Sequence, residues 1–143
     1  MNVATILKHK GRAVTTASPT LTLIEAAERL AERHIGALVV VDATGDLVGI
    51  ISERDIIRAL SEAGPECLGR TVAEHMTRQV VICQESDTLD ELMALMTTRR
   101  FRHLPVVAEG DLIGIVSIGD VVKHHVAEIE MEATAMREYI ANG

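Results

Sequence analysis

The stretch from Leu23 to Arg58 recurs as Leu89 to Lys123, and this internal duplication restricts the chain to architectures built from two equivalent halves. Leu38-Val39-Val40-Val41 aligns with Leu104-Pro105-Val106-Val107 at an offset of 66 residues. The run from Gly45 to Ser52 (GDLVGIIS) aligns with Gly110 to Ser117 (GDLIGIVS) at an offset of 65. The one-residue difference falls in the turn. The match continues through Ser52-Glu53-Arg54-Asp55 and Ser117-Ile118-Gly119-Asp120. Duplication within a short chain predicts two half-domains that bury a shared face, with sites where they meet.

Within each half the order of elements can be read from periodicity. Ala13 to Thr16 reads as a short strand. Thr22 is an N-cap with Glu25 as its capping-box partner, opening a helix to about His34 with Leu23, Ala26, Ala27 and Leu30 as its apolar stripe. Ala37 to Val41 is a continuous aliphatic run, expected as a strand buried on both faces. Thr44-Gly45-Asp46 supplies a turn, Leu47 to Ile51 the returning strand, and a helix follows Ser52. After Gly64-Pro65 and Gly69 the order recurs: a short helix near Val72 to Met76, a strand at Val80 to Ile82, a helix from Thr88 to about Arg100, and strands at His103 to Val107 and Leu112 to Val116. The expected fold is α/β, two β-α-β-β-α repeats packed about a pseudo-twofold axis plus an extended C-terminal helix. Residues 1–63 form the first repeat, 64–71 a linker, 72–126 the second repeat and 127–143 the extension.

That extension carries Val122, Val126, Ile129, Ala133, Met136 and Ile140 at spacings of 4, 3, 4, 3 and 4, a heptad stripe. The stripe suits either a helix laid back on its own domain or one packed against a second copy in a homodimer.

Composition removes several functions. A formal charge of −7, with Phe101 and Tyr139 the only aromatic residues, disfavours nucleic acid, which needs a basic surface and stacking platforms. Arg99, Arg100, Arg102 and His103 form one cationic knot, suited to a few phosphates. Cys67 and Cys83 have no neighbour at metal-ligand spacing, so they are expected as reduced thiols and no metal site is expected. No apolar run approaches the roughly 20 residues that span a bilayer, and Val3 to Leu7 is too short for a signal-peptide core. A soluble cytoplasmic protein without membrane contact is expected.

Two elements could carry chemistry. Each Ser-x-x-Asp follows a strand and opens a helix, where Ser can cap the backbone and the acid can favour the helix dipole. The same place is ready-made for an anion, and a short carboxylate there can accept both hydroxyls of a vicinal diol. Both roles are compatible. Arg102 and His103 stand where the first half has Gly36 and Ala37, so cations in one half oppose small residues in the other. Arg102 offers a planar fork of donors to phosphate, or is the solvated end of a helix.

The paired aliphatic-Gly-Ile-aliphatic-Ser-x-x-Asp elements, each preceded by a Leu-x-Val-Val strand, resemble the CBS domain (named after cystathionine beta-synthase), and two such repeats a Bateman module. The resemblance runs from Val3 to about Val126. It implies a stand-alone sensor of adenosine nucleotides (AMP, ADP or ATP), or of NAD or S-adenosylmethionine, bound in two inter-repeat clefts and requiring no cofactor. Carried over by position, Asp120 and Ser117 would hold the ribose of the main site, Arg102 and His103 its phosphates, and Ile35, Gly36, Ala37 and Thr15 would border the adenine. In the second site Asp55 and Ser52 would hold a ribose, Arg54 would reach phosphate, and Thr77 and Val81 would line the base. Gly119 replaces the counterpart of Arg54, and Gly36-Ala37 lacks the cations of Arg102-His103, so the two sites should differ in affinity. Family members often pair as discs, which agrees with a homodimer.

An enzyme is the rival class. The six histidines form no His-Glu-x-x-His or comparable pattern, and Ser117, His103 and Asp120 lack a nucleophile elbow, so no catalytic residue is expected. A second rival is a dimeric adaptor that binds a protein partner and ignores nucleotides. The sensor would act by population shift, read by a protein target that the sequence does not name.

Overall fold

From the N-terminus, the elements are Val3–Lys10 (α1), Thr16–Ala17 (β1), Leu23–Arg33 (α2), Ala37–Val41 (β2), Leu47–Ser52 (β3), Glu53–Ala63 (α3), Val72–His75 (α4), Leu89–Arg99 (α5), His103–Ala108 (β4), Asp111–Ser117 (β5) and Ile118–Asn142 (α6), with a 3-10 turn at Pro65–Gly69. They are seen in a computed structural model that describes residues 1–142. The mixed α/β repeat architecture with its long terminal helix is as expected.

The elements form where local chemistry favours them. Thr22 caps α2 in a reciprocal box, accepting from the Glu25 N–H at 3.3 Å while Glu25 Oε1 accepts from the Thr22 N–H at 3.2 Å. The aliphatic run of β2 is buried from Ala37 to Val40, which satisfies its apolar surface on both faces. Both hairpins are antiparallel, and their turns account for the shift in repeat offset. In the first, Asp42 Oδ1 accepts from the N–H groups of Thr44 (2.9 Å) and Asp46 (3.0 Å), holding a longer turn. In the second, Glu109 and Gly110 (φ 51° and 83°) close a two-residue turn whose left-handed backbone matches the twist of the strands.

The chain folds as two compact units, Val14–Val80 and Met1–Ala13 with the chain from Val81 onward. In the first, Leu23, Leu38, Val40, Ile51, Cys67 and Val72 are among the buried core residues. In the second they include Val3, Ile6, Leu7, Leu89, Leu92, Leu104, Val106, Val116 and Val121. Each unit is completed by a short helix against a strand glycine. A Cβ on Gly49 would lie 2.5 Å from Met76 Sδ and 3.0 Å from the Thr77 carbonyl oxygen. A Cβ on Gly114 would lie 2.7 Å from Leu7 Cδ2. The two glycines are therefore required by close approach, in one case of the segment after α4, in the other of α1.

Two details differ from the reading of the sequence. The first strand lies at Thr16–Ala17, displaced from Ala13 to Thr16. The strand expected at Val80 to Ile82 does not form, and this segment pairs only at Cys83. The Cys83 N–H donates to the Pro105 carbonyl (2.9 Å), and the Cys83 carbonyl accepts from the Val107 N–H (3.0 Å). In the other unit β1 is held further by the Val39 N–H on the Thr15 carbonyl (3.3 Å). Pro105 occupies the position of Val39 and has no N–H to donate, so the ladder stops one step short.

Of the α6 side chains only Val121 is buried. The stripe residues Val122, Val126, Ile129, Met136 and Ile140 are 47% to 70% exposed. The helix is therefore not laid back along this face.

Candidate functional site

Each Ser-x-x-Asp element sits where a hairpin strand turns into a helix. In the unit containing β5, Ser117 Oγ accepts from the Asp120 N–H (3.2 Å) and Asp120 Oδ2 accepts from the Ser117 N–H (2.9 Å). This is the reciprocal cap that the spacing predicts. His103 is the cross-strand partner of Ser117. The Arg102 carbonyl accepts from the Ile118 N–H at 2.8 Å, which ties the residue ahead of β4 to the first turn of α6. Arg102 itself is exposed. Four of the predicted residues (Asp120, Ser117, Arg102 and His103) are therefore brought together on one unit.

A fifth group was not anticipated. α1 carries Lys10 to this place, where Nζ donates to Asp120 Oδ2 at 2.6 Å and to the Ile115 carbonyl at 3.0 Å. Burial pushes the Asp120 carboxyl up. The hydrogen bonds from Lys10 and Ser117, with the charge of Lys10, outweigh burial and hold the carboxyl below its ordinary range. Asp120 is thus a carboxylate at neutral pH, with Oδ2 held by Lys10 and Ser117.

The equivalent acid in the other unit is more enclosed. Asp55 is only 6% exposed. Its Oδ2 accepts from the Ser52 N–H (2.9 Å) and Ser52 Oγ (3.1 Å). Its Oδ1 lies 3.4 Å from both Thr77 Oγ1 and Arg58, long contacts that leave it weakly bonded. Arg58 and Lys10 are the site residues that reading the sequence missed. Arg58 sits one helical turn beyond Asp55, an ordinary i,i+3 pair. Lys10 is 110 residues from Asp120. Its only sequence signal is the likeness of Val3-Ala4-Thr5-Ile6-Leu7 to Val72-Ala73-Glu74-His75-Met76.

The remaining predicted residues are placed as follows. Thr15, Ile35, Gly36 and Ala37 lie in the Val14–Val80 unit. Ala37 pairs across the strands with Ser52, and the Gly36 carbonyl accepts from the Glu53 N–H (3.0 Å), repeating the tie between Arg102 and Ile118. Ile35 packs partly buried against that unit's core. Arg54 is exposed, Thr77 reaches Asp55, and Val81 packs against the core of the other unit. Among the described residues no group of three or more His, Cys, Asp or Glu side chains is disposed to hold a metal ion. Both cysteines are buried free thiols, and burial, with a contribution from Asp87, pushes Cys83 up to about 12. No helix of the described chain is long and apolar enough to cross a membrane.

A duplicated hairpin ending in a self-capped Ser-x-x-Asp helix defines a known domain, and the CBS domain profile matches residues 10–62 and 72–127. The chain belongs to the CBS domain family, with two repeats in tandem. It is similar to the CBS-domain containing protein ATU1752 from Agrobacterium tumefaciens (48% identity, TM-score 0.84, covering 85% of this chain and 91% of that one). It is 38% identical to an uncharacterized 17.7 kDa protein of Acidianus ambivalens over 73% of this chain and 63% of the relative. The CBS domain pair of protein MJ0100, solved in complex with 5′-methylthioadenosine and S-adenosyl-L-methionine, is 30% identical with a TM-score of 0.79, covering 90% of this chain and 98% of that one.

Proposed function

We propose that this protein is a non-catalytic cytoplasmic sensor of an adenosine-containing small molecule, signalling to a protein target through rearrangement of a dimer. The observation that carries this reading is the two adenosyl compounds bound to the CBS pair of MJ0100, taken with Asp120 held as a carboxylate at the start of α6. Asp120 and Ser117 hold the diol, and Arg102 and His103 approach the phosphates of AMP, ADP or ATP. The adenine-bordering role of Thr15, Ile35, Gly36 and Ala37 belongs to the same proposal. So do the second-site roles of Asp55, Ser52, Arg54, Thr77 and Val81, with the weaker affinity on the Asp55 side because Gly36 and Ala37 lack the cations of Arg102 and His103.

The test separates diol from phosphate by calorimetric titration. Arg102→Ala should weaken ATP more than adenosine, because a phosphate contact is lost and the diol contact kept. Asp120→Ala should weaken both together. Equal losses for both ligands in Arg102→Ala would refute the phosphate role.

A further inference from the structure

The exposed heptad face of α6 has no cover within its own unit, and its flanking charges discriminate between the two ways of pairing it. With Val126, Ala133 and Ile140 at one core position and Val122, Ile129 and Met136 at the other, the flanking positions are Lys123, Glu130 and Arg137 on one side and His125, Glu132 and Tyr139 on the other. A parallel pair brings each residue of the second set to the residue five places on in the first. Glu132 then meets Arg137 of the second copy, while His125 faces Asp90 of its own unit at 3.9 Å. An antiparallel pair that keeps the whole stripe in register sets Val122 opposite Ile140. It brings Glu130 to Glu130, Glu132 to Glu132 and Lys123 to Arg137, every one a like-charge contact. Ala133, near the middle of the stripe, admits close approach of the two helices.

We infer that α6 is the dimer contact of this protein and pairs in parallel with α6 of a second copy. The helix is ready for this role, since Val121 and the packing of its first turns fix it before any partner arrives, and helix nucleation is already met. The inference rests on the dimer reading proposed above and adds its orientation; it does not depend on any nucleotide.

The experiment is oxidative cross-linking of variants of the full chain that each add one cysteine on α6, with sedimentation to measure the dimer. The native Cys67 and Cys83 are buried, so the unmodified protein is the blank. In a parallel pair Ile140→Cys cross-links to itself. In the antiparallel pair two such residues stand about 27 Å apart, at 1.5 Å per residue over eighteen residues. There the cross-link forms only between Val122→Cys and Ile140→Cys. Glu132→Lys and Arg137→Glu should each raise the dimer dissociation constant roughly tenfold, since each turns two symmetry-related pairs repulsive. The double variant should return it to the starting value. A Val122–Ile140 cross-link, or no recovery in the double variant, overturns the orientation alone. A protein monomeric at all accessible concentrations overturns the dimer reading with it, and leaves nucleotide binding untouched.

Discussion

Replacing Lys10 by Met keeps its aliphatic stem and removes one charge from Asp120. Lys10 Nζ lies 2.6 Å from the carboxylate, but the two side chains are 34% and 24% exposed, so water screens the pair. Exposed pairs contribute about 0.2–1 kcal/mol, and hydrogen bonds to charged groups about 1.5–3 kcal/mol. Partial exposure puts this pair near the lower range, and Lys10→Met should cost about 1 kcal/mol at neutral pH. The pH dependence has a definite sign. The folded Asp120 carboxyl titrates below the unfolded one, so its contribution is complete above roughly pH 4, the unfolded carboxylate range, and is lost as pH falls through the lower folded value. Urea unfolding followed by far-UV circular dichroism, at steps from pH 7 to pH 3, should show a gap between wild type and Lys10→Met that shrinks on acidification. A gap that is absent at pH 7, or unchanged at pH 3, refutes the pairing. The same substitution leaves the Ser117 N–H on Oδ2 and removes the competing lysine, so adenosine should bind Lys10→Met at least as well as wild type.

Three further outcomes follow from the packing. Gly114→Ala should destabilise by roughly 1–3 kcal/mol in denaturant unfolding, because its Cβ would press on Leu7, which is 1% exposed and has nowhere to move. Asp55→Ala should cost roughly 1–3 kcal/mol by the same assay, since the Ser52 N–H and hydroxyl lose their buried acceptor. Cys83 should resist iodoacetamide at pH 8 in the folded protein and react in urea, because a thiol held near 12 offers almost no thiolate; rapid labelling without urea would contradict its burial.

The fold was legible because the repeat states each local instruction twice. Thr22 and Glu25, the β2 aliphatic run and both Ser-x-x-Asp caps all act within a few residues, and the structure forms each of them. What escaped was long-range or backbone-specific. α1 belongs with strands more than 100 residues later, and no local pattern announces that Lys10 will reach Asp120. The missing strand at Val80 to Ile82 depends on a donor that Pro105 lacks, a fact visible only once the pairing register is known. For the site, it was the family resemblance that grouped Ser117, Asp120, Arg102 and His103, and the strand register sets His103 across from Ser117. Spacing alone could not show that Asp55 is 6% exposed while Asp120 is only partly buried and paired with Lys10.

The most direct test of the sensor reading is thermal unfolding with and without millimolar AMP, ADP, ATP, NAD and S-adenosylmethionine, on wild type and Asp120→Ala. Ligand at about 100 times its dissociation constant stabilises by about 2.7 kcal/mol, a shift of several degrees for a chain of this size. The account predicts a rise with at least one adenosyl ligand that disappears in Asp120→Ala. No rise with any of the five would contradict it and turn the search to an adaptor that reads only protein partners.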